Sequence, residues 1–151
     1  MKRYASNTSV SSDRSRQEIE STLAKYGATA FMYGNNQKQA VIVFEFSGKR
    51  MKFVLELPSS ATTPKGRRPH NPTKYLDAEH RRRWRSLALS IKSKLVAVND
   101  GISTIEYEFM ANIMLPNGLT VGEWAGPQIE SAYETGKMPP MLMLEAPRGN
   151  D

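Results

Sequence analysis

From residue 39 to residue 57, large apolar side chains recur at every second position on both sides of a Ser47-Gly48 pair. A period of two over that length specifies extended chain, and a two-residue turn between two such runs specifies an antiparallel hairpin. Such a turn pairs Phe46 with Lys49, hence Phe44 with Met51 and Ile42 with Phe53. All the large apolar residues then fall on one face, while Glu45 meets Arg50 and Val43 meets Lys52 on the other. Slipping either strand by one residue would turn its whole apolar set to solvent, so the register is strongly determined. A hairpin with one apolar face needs a cover, and the rest of the chain must supply it.

The flanking segments read as one further strand and four helices. Ser12 caps a helix that runs to Tyr26, with Ile19, Leu23 and Tyr26 on one face and Gly27 as its stop. Residues 28–33 form the first strand, followed by a turn at Gly34-Asn35-Asn36. Residues 58–73 hold four prolines and show no periodicity, so they are expected to be a mobile basic loop. A long helix follows over residues 74–99. Ser103-x-x-Glu106 is a capping box for a helix containing Ile105, Phe109, Met110 and Ile113. Leu115-Pro116-Asn117-Gly118 is a tight turn. Thr120-x-x-Glu123 opens the last helix, with Trp124, Ile129 and Tyr133, Pro127 in its first turns and Gly136 at its end. The expected fold is α+β: a three-stranded antiparallel sheet packed against helices, in the order α-β-β-β-α-α-α.

The 151 residues suit one domain over residues 12–137, between a flexible start (1–11) and an apolar Met/Pro tail (138–151). That tail is expected to pack across the domain or dock on a partner. No apolar run approaches the ~18 residues of a membrane helix, and serine follows the basic start where a signal peptide would be apolar. Cysteine is absent, which excludes disulfides and thiolate metal sites and fits a reducing cytoplasm.

The net charge of +6 is unevenly placed. Residues 65–94 hold ten basic and two acidic groups, a local +8, while residues 95–151 carry −6. Within the long helix Trp84, Leu87, Ala88, Ile91, Leu95 and Val98 share one sector of ~100°, which should face the sheet. Lys74, Arg81, Arg85 and Lys92 lie within ~40° of one another on the border of that stripe, a ridge ~27 Å long. Lys65, Arg67 and Arg68 add an arm on the preceding loop. These seven cations form a candidate footprint for nucleic acid, DNA or RNA, held by its phosphates. Two other readings stand beside it. The ridge is a solvated helix face, with Asp77 four residues before Arg81 and Glu79 four before Arg83; or it meets an acidic surface of a protein partner. Trp84 belongs to the apolar stripe rather than to a base-stacking site. Phe31 and Tyr33 share a strand face, where core or edge packing is preferred over an aromatic platform for RNA.

No catalytic constellation emerges. Glu45 and Glu56 share the polar hairpin face, but the register sets them ~20 Å apart, too far to share a metal. His70 and His80 lack the partners of a zinc site. No phosphate-binding loop or nucleophile elbow is present, so neither enzyme activity nor a cofactor is expected.

Several stretches are familiar as a set: Ser15-Arg16-Gln17-Glu18-Ile19-Glu20, Lys25-Tyr26-Gly27-Ala28, Phe31-Met32-Tyr33-Gly34, Arg82-Arg83-Trp84-Arg85-Ser86-Leu87-Ala88-Leu89, Leu115-Pro116-Asn117-Gly118 and Gly122-Glu123-Trp124. Across residues 3–143 the chain resembles a family of short bacteriophage- and prophage-encoded proteins of unassigned function. The resemblance implies expression in the cytoplasm of an infected bacterium, acting on nucleic acid or against a host system, and transfers no site residues. The expected function is non-specific binding of nucleic acid backbone by a phage-type accessory protein. The alternative is an inhibitor or adaptor acting on a host protein, such as one of host defence.

Overall fold

The computed structural model describes residues 5, 8–61, 63 and 65–138; the tail beyond Met138 and most of the expected flexible start lie outside them. The fold is α+β. Four helices, α1 (Ser12–Lys25), α2 (Pro72–Asn99), α3 (Ile105–Phe109) and α4 (Val121–Thr135), accompany strands β1 (Thr29–Asn35), β2 (Gln39–Phe46) and β3 (Lys49–Glu56). The sheet is antiparallel in the order β1-β2-β3.

The central hairpin has the register that alternation demands: Phe46 faces Lys49, Phe44 faces Met51, Ile42 faces Phe53 and Gln39 faces Glu56. Ser47 and Gly48 both have positive φ, +48° and +73°. Two left-handed central residues define the turn that matches the right-handed twist of paired strands, and it favours Asn ahead of Gly. Ser47→Asn is therefore expected to raise stability by about 0.5 kcal/mol, read from the urea midpoint at unchanged slope.

The apolar face of the sheet is the core. Phe44 is fully buried at its centre, with ring centroids of Phe46, Phe53 and Phe109 at 5.9, 6.0 and 6.1 Å. Ile19 and Leu23 of α1 and Trp84, Ala88, Ile91 and Leu95 of α2 close over it. Trp84 is thus a core residue. Phe31 packs beside Phe44 at 6.3 Å, and Tyr33 leans on Trp84 at 5.8 Å with the Arg16 guanidinium over its ring at 4.5 Å. The two aromatics of β1 serve the core edge and present no open platform.

Several boundaries differ from the sequence reading, each for a local reason. Helix α1 is capped by Ser11, whose hydroxyl accepts from the Arg14 N–H, and it ends at Lys25. Strand β1 begins and ends later than residues 28–33. A bulge between Thr29 and Met32, with Ala30 at φ +54°, takes up its start. Its end is moved because Asn36, not Gly34, makes the turn: its side-chain oxygen accepts from the N–H groups of Lys38 and Gln39 at 2.8 and 2.9 Å. Strand β3 stops at Glu56, one residue short of the expected Leu57.

Helix α2 starts at Pro72 rather than residue 74, because Asn71 caps it through the Lys74 N–H and a proline at the first turn sacrifices no bond. The cap of α3 is Thr104, not Ser103, and the helix gives way to a 3-10 turn at Met110–Asn112. Ile113 and Met114 then leave the helical path to cover the β3 edge. Ile113 bridges Met51, and the Met114 N–H donates to the Arg50 carbonyl at 2.8 Å. An uncovered edge is a template for aggregation, and here its first residues, Arg50 and Met51, are covered.

The turn at Leu115-Pro116-Asn117-Gly118 forms, with the Gly118 N–H donating to the Leu115 carbonyl at 2.9 Å. The Thr120/Glu123 capping box is complete, and Gly136 ends α4 in the left-handed conformation at φ +66°. Pro127 sits in the second turn of α4, inside the helix. Unlike the others, α4 contributes no buried residue to the domain.

Candidate nucleic-acid interface

Helix α2 carries seven of the 21 Lys and Arg residues against two acids, and the surroundings sort these and the loop cations into two groups. One group is spent on the fold. Arg83 donates to the Glu56 carbonyl at 2.8 Å, tying α2 to the end of β3. Arg82 pairs with Glu79 at 3.3 Å, with both side chains about seven-eighths buried. Lys94 donates to the Glu108 carbonyl at 2.8 Å and lies 5.9 Å from the centre of the Phe109 ring, which fastens α3 to α2. Arg85 forms an ion pair with Glu18 of α1. The helical partners expected from spacing are not the ones used. Glu79 binds Arg82 three residues on instead of Arg83, because Arg83 is drawn to a strand carbonyl that spacing along one helix cannot reveal.

The second group points outward. Lys65, Arg67, Arg68, Lys74 and Lys92 are exposed, while Arg81 is partly buried, as Arg83 and Arg85 are. Among the described residues none of these six has a carboxylate within ion-pair distance. The expected ridge is therefore broken at Arg85, where α1 packs alongside and Glu18 neutralises it. Of the seven candidate residues, Arg85 is the one that the tertiary structure withdraws from the surface charge.

The loop that carries the other three cations is held to α2 by two tethers. His80 Nε2 lies 3.0 Å from the Pro58 carbonyl, and Asn71 caps α2. Pro72 and His80 are eight residues apart on one helix, so the loop closes over a span of only ~12 Å. Within it, Arg67 is held in a tight turn: its N–H donates to Thr63 Oγ1 at 3.2 Å, and Gly66 adopts φ +72°. Lys65, Arg67 and Arg68 thus stand on a loop with both ends fixed to the N-terminal part of α2, the part that carries Lys74 and Arg81.

That end of the helix is electrostatically unusual. A helix N-terminus is positive and normally carries Asp or Glu, yet the first turn of α2 has no acid and holds Lys74. The helix dipole, Lys74 and the loop cations add potential of one sign, the arrangement that attracts an anion.

The other titratable groups stay apart. Glu45 and Glu56 sit at the two ends of the hairpin register, opposite Arg50 and Gln39. Among the described residues no three His, Asp or Glu side chains come close enough to hold a metal ion. No described helix is long and apolar enough to cross a membrane. No family model, no curated protein and no solved structure matches the chain, so its surface is read from its own geometry.

Proposed function

We propose that this protein binds the backbone of nucleic acid without reading its bases, using Lys65, Arg67, Arg68, Lys74, Arg81 and Lys92. The observation that carries this reading is that, among the described residues, none of the six cations has a carboxylate within ion-pair distance, whereas Arg82 and Arg85 of the same helix do. A solvated face evolved only for solubility would mix both signs of charge. On this face Lys74, Arg81 and Lys92 stand against one exposed acid, Asp77, and the first turn of the helix holds no acid. The phage-type setting implied by the resemblance supplies DNA and RNA as polyanions in the same compartment.

The test is a fluorescence anisotropy titration of mixed-sequence single- and double-stranded oligonucleotides at several salt concentrations. Six phosphate contacts give a log–log salt slope of about −5 on duplex DNA, with non-specific Kd of about 1–100 μM at moderate salt. Binding weaker than ~100 μM even at low salt would end the nucleic-acid reading, leaving an acidic protein surface as the partner.

Glu18 offers a second check. Glu18→Gln releases Arg85 at a cost of less than about 1 kcal/mol, since the pair is partly exposed. The variant is expected to bind more tightly, with the salt slope steeper by about one unit. An unchanged slope would place Arg85 outside the interface.

A further inference from the structure

Helix α4 is the part of the fold with least visible support. At 100° per residue, Glu123, Glu130 and Glu134 share one side, and Trp124, Ala125, Gln128, Ile129 and Ala132 lie on the other. That apolar side borders an open cavity of about 550 Å³ whose described lining is Trp124 to Tyr133 of α4 together with Met138. Ile129, Tyr133 and Met138 are 56%, 88% and 77% exposed. Among the described residues the anchors lie at the start of the helix: the Val121 N–H donates to the Ile113 carbonyl, and Gly122 rests against Ala111. A helix of this length is marginal in water by itself, so its last three turns need an apolar cover.

We propose that the cover is the chain's own tail, residues 139–144, running back along α4 from its C-terminal end. Gly136 turns the chain out of the helix at φ +66°, and two residues later Met138 already lines the cavity. The exit is thus aimed at the apolar face. The next six residues are Pro-Pro-Met-Leu-Met-Leu, free of charge. Pro139 and Pro140 hold the preceding residues extended and cannot prolong the helix. Six extended residues reach up to ~20 Å. The face from Tyr133 back to Trp124 is ~14 Å long. Length, apolarity and direction therefore agree.

Area argues against a second copy in the same place. The three exposed side chains offer on the order of 400 Å² per copy. Two copies together reach ~800 Å², the scale of adventitious contacts and short of the ~1,200 Å² of a specific dimer. A tethered segment escapes that requirement, because its effective concentration is already millimolar.

The chain has no cysteine, so Glu145→Cys carries a single nitroxide label on the full-length protein. Amide signals of Gln128, Ile129, Ala132 and Tyr133 are expected to lose intensity relative to the reduced label, while those of β2 and β3 keep theirs. Equal intensity on α4 with and without the spin overturns the proposal. So does the same loss in a mixture of isotope-labelled unmodified chain with spin-labelled chain, which would place a second copy on the face. In a separate full-length variant, Leu142→Asp with Leu144→Asp, hydrogen exchange at residues 128–135 is expected to rise about tenfold or more, with α1 and the hairpin unchanged. Unaltered exchange in α4 would equally overturn it.

Discussion

Phe44→Ala is expected to lower the free energy of unfolding by about 3–5 kcal/mol, the upper range for truncating a buried aromatic. Phe44 is fully buried and meets four aromatic rings from β1, β2, β3 and α3 within 6.3 Å. Its removal costs the transfer of the ring and leaves a cavity that those neighbours, each held by its own element, cannot all close. Urea unfolding followed by circular dichroism reads the loss. The thermal midpoint should fall by roughly 10 °C for a chain of this size. Val54→Ala, on the outer face of the same sheet and exposed, should cost under ~1 kcal/mol. A similar loss for the two variants would mean that the sheet buries its other face.

The largest functional effect is expected from replacing Arg67, Arg68, Lys74 and Arg81 together with glutamine. Among the described residues none of the four side chains bonds to another element, so the fold should remain intact. Four of six phosphate contacts disappear, and the salt slope should become shallower by about 3 to 4 units. Affinity at low salt should fall on the order of a hundredfold, equally for unrelated sequences. Lys94→Gln is the informative opposite. It loses a charged hydrogen bond to the Glu108 carbonyl, worth about 1.5–3 kcal/mol, and should leave the salt slope unchanged. If the fourfold variant retains the full slope, the anion sits elsewhere and the proposed surface is wrong.

The hairpin was legible in full because its information is local: period two on both strands and a Ser-Gly turn leave one register. The capping box at Thr120 and the stop at Gly136 were legible for the same reason, since a cap is satisfied by atoms within four residues. The misplaced ends show where local reading fails. Ser11 and Ser12, or Ser103 and Thr104, are equivalent cap chemistry one residue apart, and only the packed position of the helix chooses between them. The bulge in β1 left no sequence mark beyond an alanine, a residue that ordinarily avoids positive φ.

Charge followed the same division. The amino-acid order by itself determined that +8 gathers over residues 65–94 and that Lys74, Arg81, Arg85 and Lys92 share one helical sector, because helix geometry is fixed at 3.6 residues per turn. Only the tertiary structure decided which cations remain available. Glu18 is 67 residues from Arg85, and Glu56 is 27 from Arg83, so no periodicity along one element could disclose either contact. A side chain's charge is written in the sequence, whereas its neutralisation depends on which elements pack beside it.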